Sequence, residues 1–273
     1  MSRFLRHYLL ALQFFTRVPV TGRLAAWVGY SPAMLRASAA HFPGVGWLVG
    51  LWVAAVFAAL LWALPALPAA PWVAALGATV AGVLMTGAFH EDGLADLADG
   101  LGGSADRARA LDIMKDSRIG SFGAVALVLA LLGKVALLAL LAQGEPARAV
   151  AALFLAQVVS RAAPLAVIYT QPHVGDVAGS KSKPLADGLT LAALLAGLSW
   201  MALALLVVVA RFPGMGWWAG VLGAALGTAW MARLLWRRLR GFTGDGLGAT
   251  QQVAELLFYL GLAVAWSVEG PTA

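Results

Sequence analysis

The chain has 273 residues, of which 61% are hydrophobic and 12% charged, against about 45–50% apolar and about 25% charged residues in soluble domains, so it is read as an integral membrane protein. It has no cysteine, which excludes disulfides, thiolate nucleophiles and Cys-based zinc or iron–sulfur sites and leaves oxygen and nitrogen groups to do any chemistry. The net charge of +6 is what topogenic Arg and Lys leave in a membrane protein, and no nucleic-acid partner is expected.

The first element, SRFLRHYLLALQFF, sets basic residues beside an apolar run. Thr16-Arg17-Val18-Pro19 follows where a signal peptide would need a small-residue cleavage site. The segment is therefore expected to lie in the membrane interface as an amphipathic helix, within an N-terminal portion covering 1–43. Seven apolar stretches follow at 44–64, 71–90, 120–142, 149–170, 189–210, 214–235 and 252–268, each near the roughly 20 residues that cross a bilayer. The fold class expected is all-α: a polytopic membrane helical bundle of about seven transmembrane helices, forming one domain over 1–273. Gly44, Gly46 and Gly50 open the first span with a small-xxx-small spacing, which favours helix packing over substrate binding. His41 and His90 stand singly, as hydrogen-bonding rather than metal-ligating histidines usually do.

Between the second and third spans, HEDGLADLADGLGGSADRARALDIMKDSRIG at 90–120 carries seven carboxylates. Asp92, Asp96 and Asp99 are spaced i, i+4, i+7, which puts them within about 60° of one another on a helix. Like charges so placed repel, and the hard cation that would compensate clustered oxygens is Mg²⁺ or Mn²⁺. The second half of the segment repeats the pattern with Asp112 and Asp116, adds Lys115 and Arg118, and offers Ser104 or Asp106 as a helix cap after Gly102-Gly103. Two acidic faces folded back on each other would share a metal, with the cations beside it for a phosphate. The alternative is a solvated acidic loop without a role. Against it, the acids begin at headgroup depth, where uncompensated charge is costly, and on a side of the membrane where basic residues are the rule.

Lys134 and Arg161 fall inside spans, where ionisable groups are functional or paired; Arg161, after Ser160, is the better partner for a buried carboxylate. The WRRLR run at 236–240 reads as topogenic and headgroup-facing. A glycine-rich loop, GFTGDGLGATQQ at 241–252, places Thr243 and Asp245 where backbone amides can approach phosphate, without the Gly-Lys-Ser/Thr of a P-loop.

Lys and Arg counted along this layout are strongly one-sided. One side holds Arg3, Arg6, Arg17, Arg23, Arg36, Arg107, Arg109, Lys115, Arg118, Lys181, Lys183, Arg233, Arg237, Arg238 and Arg240, whereas the other holds Arg148 and Arg211. The first side is expected to be cytoplasmic, with the N-terminus inside. All long polar segments lie there, including the acidic stretch 91–119. Short outer connections and the lack of an internal repeat argue against a transporter. A membrane scaffold whose acidic loop docks a partner is a further alternative and predicts no turnover.

These residues resemble the cobalamin synthase family, the adenosylcobinamide-GDP ribazoletransferases. The resemblance rests on FFTRVPV at 14–20, HFPGVGWLVG at 41–50, TGAFHEDGLADLADG at 86–100, MKDSRIGSFG at 114–123, Ser160-Arg161 and GFTGDGLGA at 241–249, in the family's order across nearly the whole chain. It implies a Mg²⁺-dependent enzyme of the bacterial inner membrane with its active site facing the cytoplasm. The substrates implied are adenosylcobinamide-GDP and α-ribazole or its 5′-phosphate, the product adenosylcobalamin or its phosphate, and the leaving group GMP. The surroundings implied are the lipid bilayer, and a homo-oligomer is left open. With that chemistry in view, Glu91, Asp92, Asp96 and Asp99 are expected to bind metal. Asp116 or Asp112 completes the shell or serves as base, Lys115, Arg118 and Arg161 hold phosphate, and Asp245 with Thr243 touches donor or metal. HEDGLADLADG also resembles the acidic motif of CDP-alcohol phosphotransferases, but it lacks their Ala-Arg after Asp-Gly and their later Gly. That likeness is one of mechanism only, and a phospholipid-type phosphotransferase remains the runner-up.

Overall fold

The computed structural model describes residues 2–174 and 188–269; Lys181 and Lys183 of the charge count lie outside them. A basic amphipathic helix, α1 (Ser2–Phe15), is followed by two short helices, α2 (Gly22–Val28) and α3 (Pro32–Ser38), and a 3-10 turn at Ala39–His41. Leu10, Val20, Val28 and Leu35 pack into a small core of their own beneath them. α1 buries Leu10, Ala11, Leu12 and Phe15 while leaving Phe4 and Leu5 exposed, the one-sided burial expected of an interfacial helix.

The long helices are α4 (Phe42–Ala63), α5 (Ala70–Thr86), α8 (Ser121–Gly144), α9 (Pro146–Thr170), α10 (Leu191–Arg211), α11 (Gly216–Leu239) and α12 (Gly244–Glu269), with α6 (Phe89–Gly103) and α7 (Arg107–Ile113) between α5 and α8. Among the described residues six are long and apolar enough to cross a membrane, and α5 and α6 pass the same test only as a pair, bent by 89°. Their starts are chemically marked: Pro43, Pro71 and Pro146 sit in the first turns of α4, α5 and α9, where a missing N–H costs nothing. At α10 the Thr190 hydroxyl accepts from Ala193 N at 3.2 Å, an N-cap.

α9 is the axis of the bundle. Its apolar window is 89% buried, against 22% for α8 and α10, so those two face lipid with Leu129, Leu132 and Leu206 exposed. α4 lies along α9 because Gly46 and Gly50 have no side chain: a Cβ on Gly50 would stand 2.7 Å from Phe154 O. The glycines of this segment thus serve packing, as their spacing predicts. α12 runs between α9, α11 and α6 and begins at Gly244, eight residues before the predicted start of the last span. The glycine-rich stretch expected as a loop is helical from Gly244 onward, since burial against its neighbours outweighs the poor helix propensity of glycine.

Candidate active site

The acidic segment hangs on a corner. α5 ends at Gly87 (φ 66°, ψ 36°) and the next residue, Ala88, is also left-handed (φ 59°, ψ 21°), so α6 leaves α5 at 89°. For an L-residue this conformation costs about 1–2 kcal/mol. Ala88 and Arg240 (φ 62°) are the two non-glycine residues with positive φ among those described. One precedes His90-Glu91-Asp92 and the other precedes Gly241-Phe242-Thr243, so both polar segments start from a strained hinge. Arg17 is seated on the first corner: its amide donates to Met85 O at 2.7 Å, and its exposed guanidinium lies against Gly87, in space a Cβ would occupy. From the sequence, Arg17 is expected only as one of the cytoplasmic-side basic residues and as part of the FFTRVPV stretch.

α6 crosses the start of α12 at van der Waals distance. A Cβ on Gly93 would be 2.9 Å from Asp245 O and 3.3 Å from Gly248 Cα. This crossing brings together Asp92 and Asp96 of α6 with Asp245 of α12, 149 residues further along the chain. Asp92 is exposed, and Asp96 and Asp245 are half-buried. The charges that act on Asp96 are those of Asp92, Asp245 and Asp99. Ion pairs among the described residues join Lys115 to Asp112, Arg118 to Asp116, Lys134 to Glu255 and Arg148 to Glu145, and none involves this trio. Thr243 lies 5% exposed beneath it. Its hydroxyl accepts from Gly246 N at 3.0 Å, so its work is to cap α12 rather than to meet substrate.

Asp99 has a different task from the metal ligation expected of it. Its Oδ2 accepts from Gly120 N at 2.7 Å and its Oδ1 from Gly123 N at 2.8 Å. It is the cap of α8, supplied by α6, and both oxygens are occupied by amides that the helix start leaves unpaired.

α7 does fold back on α6, with Asp106 as its cap accepting from Arg109 N at 2.8 Å, but it ends at Ile113. Asp112 and Asp116 therefore do not share a helix face. Asp112 pairs with Lys115 at 3.7 Å and Asp116 with Arg118 at 2.6 Å, all four exposed. Hydrogen bonds from the Arg118 side chain and amide hold the Asp116 carboxyl down at about 2, which unsuits it as a general base near neutrality. Neither carboxylate is among the charges acting on Asp96. Arg238 is turned from the headgroup role its run suggested: it donates to Leu101 O at 3.0 Å and Ser104 O at 2.7 Å, closing the end of α6.

Inside the bundle lies a polar network around Lys134 and Arg161, the two ionisable residues expected within spans. Lys134 and Glu255 pair at 2.6 Å, side chains 10% and 2% exposed. Gln157, Gln251 and Tyr259 also donate to Glu255, at 2.6, 3.0 and 3.0 Å. Arg161, expected on phosphate, is 4% exposed and donates to Gln157 O and Oε1 at 2.9 and 2.7 Å. It belongs to the middle of α9 and not to the surface. Lys134, rather than Arg161, holds the carboxylate directly. Glu91 is buried at 9% exposure and accepts from Gln252 Nε2 at 3.0 Å, so it points into this network while Asp92 points out. The missed member was Glu255, whose signal was a glutamate three residues past the Gln251-Gln252 pair in an apolar run.

For Mg²⁺ the donor set is chemically right: hard carboxylates, like-charged and unpaired. No three acidic or His side chains among the described residues already form a cage. An ion that takes one or two protein carboxylates and completes its shell with phosphate oxygens and water would draw them from Asp92, Asp96 and Asp245.

The sequence pattern of the family described as cobalamin-5-phosphate synthase matches residues 7–263. A relative from Albidiferax ferrireducens named adenosylcobinamide-GDP ribazoletransferase is 61% identical over 97% of this chain and 99% of its own. Relatives with the same name from Polaromonas naphthalenivorans and Polaromonas sp. are 56% and 54% identical over 97% of this chain and 100% and 98% of theirs. No solved structure matches the chain. A multi-pass helical membrane protein whose acidic corner helix meets a second polar helix start, matched end to end by these relatives, this transferase belongs to the cobalamin-5-phosphate synthase family.

Proposed function

We propose that the chain transfers the cobinamide-phosphoryl group of adenosylcobinamide-GDP to α-ribazole or its 5′-phosphate, with Mg²⁺, at the cytoplasmic face of the inner membrane. The observation that carries this reading is the convergence of Asp92, Asp96 and Asp245, unpaired, at the crossing of α6 and α12, in a chain matched by relatives named for this reaction. The ribazole hydroxyl oxygen forms a bond to the phosphorus that bears cobinamide. The bond from that phosphorus to the GMP oxygen breaks, GMP leaves with the electron pair, and a carboxylate of the trio takes the hydroxyl proton. Bound Mg²⁺ supplies charge neutralisation on the pyrophosphate. Arg17, on the corner before α6, and Lys115 with Arg118, on the turn that Asp99 pins to α6, steady donor phosphates.

The test is GMP release by purified protein in nanodiscs given adenosylcobinamide-GDP, with and without α-ribazole and Mg²⁺. Release that needs both supports the reading. Folded protein that releases no GMP, or releases it without ribazole, rejects it.

A further inference from the structure

Glu91 sits beside Asp92 but turns the other way. One carboxylate oxygen is held by Gln252 of α12; the other, Oε2, is buried without a partner, and so is Nε of Arg161. Both side chains line one narrow cavity with Lys134, Gln251 and Glu255. Lys134 and Glu255 satisfy each other directly at 2.6 Å. Arg161 feels the charge of Glu255 first and of Glu91 second, and Glu91 makes the cluster neutral, with two cations and two anions. A buried charge stripped of its counter-charge is strongly destabilising, so Glu91 cannot leave this arrangement without disturbing α9 and α12 together.

We propose that Glu91 is a positioning residue: its carboxylate, held by Gln252 of α12 and facing Arg161 of α9, sets the angle at which α6 meets α12. It thereby sets the spacing of Asp92 and Asp96 from Asp245. The proposal rests on the transferase reading above. It departs from a metal-ligand role for Glu91, because the side chain is turned into the bundle and one oxygen is already engaged. The strained Ala88 explains why a clamp is needed. Two left-handed residues start α6 off the axis of α5, and a strained corner persists only where surrounding contacts hold it.

The test compares wild type, Glu91→Gln, Gln252→Glu and the swap Glu91→Gln/Gln252→Glu as full chains in nanodiscs. The swap moves the carboxylate across the contact while keeping the hydrogen bond and the net charge. GMP release is measured against Mg²⁺ and α-ribazole. In parallel, the distance between spin labels on cysteines introduced at Ala105, in the turn two residues past the end of α6, and at Leu260 of α12, both exposed, reports the end of α6 against α12; the native chain has no cysteine. Glu91→Gln is expected to lower kcat about a hundredfold, the scale of a misplaced catalytic group, with KM for α-ribazole little changed and the label distance shifted or broadened. The swap is expected to restore both readouts. The proposal is overturned if Glu91→Gln is near wild type. It is also overturned if turnover falls with the label distance unchanged, the Mg²⁺ requirement raised about 10–100-fold and no rescue by the swap, since Glu91 would then touch the metal. Should Glu91→Gln fail to fold, a folded but inactive swap overturns it equally. Wild type without GMP release would reject the transferase reading instead, and the label distances would still judge the clamp.

Discussion

At the residue scale, neighbouring carboxylates on α6 are sorted by which way they face. Asp92, exposed beside Asp96 and Asp245, is expected to be indispensable. Asp92→Asn keeps the shape and removes the charge, and turnover should fall at least about a hundredfold because metal-assisted charge stabilisation is worth several kcal/mol; activity within tenfold of wild type would remove it from the site. Asp99 belongs to stability. In Asp99→Asn the side-chain NH₂ must face a backbone N–H where the carboxylate accepted one, so a cost of about 1–3 kcal/mol is expected, read as a lower melting temperature in detergent. Arg17→Ala should raise KM for adenosylcobinamide-GDP about tenfold, the worth of one charge-assisted hydrogen bond, with a smaller effect on kcat.

At the element scale, the site is the crossing of α6 and α12, and glycine decides it. Gly93→Ala puts a methyl 2.9 Å from Asp245 O and 3.0 Å from Asp245 Cα, backbone atoms that cannot rotate aside. Overpacking of this kind costs about 1–3 kcal/mol. Because the displaced residue is itself a member of the trio, turnover should fall more steeply than stability. Equal losses, compared by thermal unfolding and GMP release on the same preparation, would show that the crossing angle does not matter to the chemistry.

At the scale of the whole molecule, the buried pair Lys134–Glu255 ties α8 to α12 across the bundle, beside α9. Lys134→Met strands Glu255, and removing one partner of a buried pair costs about 3–5 kcal/mol. Adding Glu255→Gln should recover most of the loss while leaving Gln157, Gln251 and Tyr259 an oxygen to share. If the single variant is as stable as wild type, the network is not holding the bundle.

Much of this was legible in the chain. Hydrophobic runs of spanning length placed the long helices within a few residues of their observed ends, the start of α12 excepted, because in lipid the backbone has to satisfy its own hydrogen bonds and helix length follows bilayer thickness. The early start of α12 was missed since glycine reads as loop until a partner buries it. Spacing marked HEDGLAD and GDG as unusual but could not pair them. It put Asp92, Asp96 and Asp99 on one face, yet which carboxylate meets Asp245, which caps α8 and which turns inward depends on what packs beside each position. Sequence alone thus determined the class of fold, the spanning segments and the kinds of groups available for chemistry, since these follow from local composition and period. Only tertiary structure decided which of those groups share a site, because Asp92 and Asp245 are brought together by two strained corners and a glycine contact, none of which is written in local spacing.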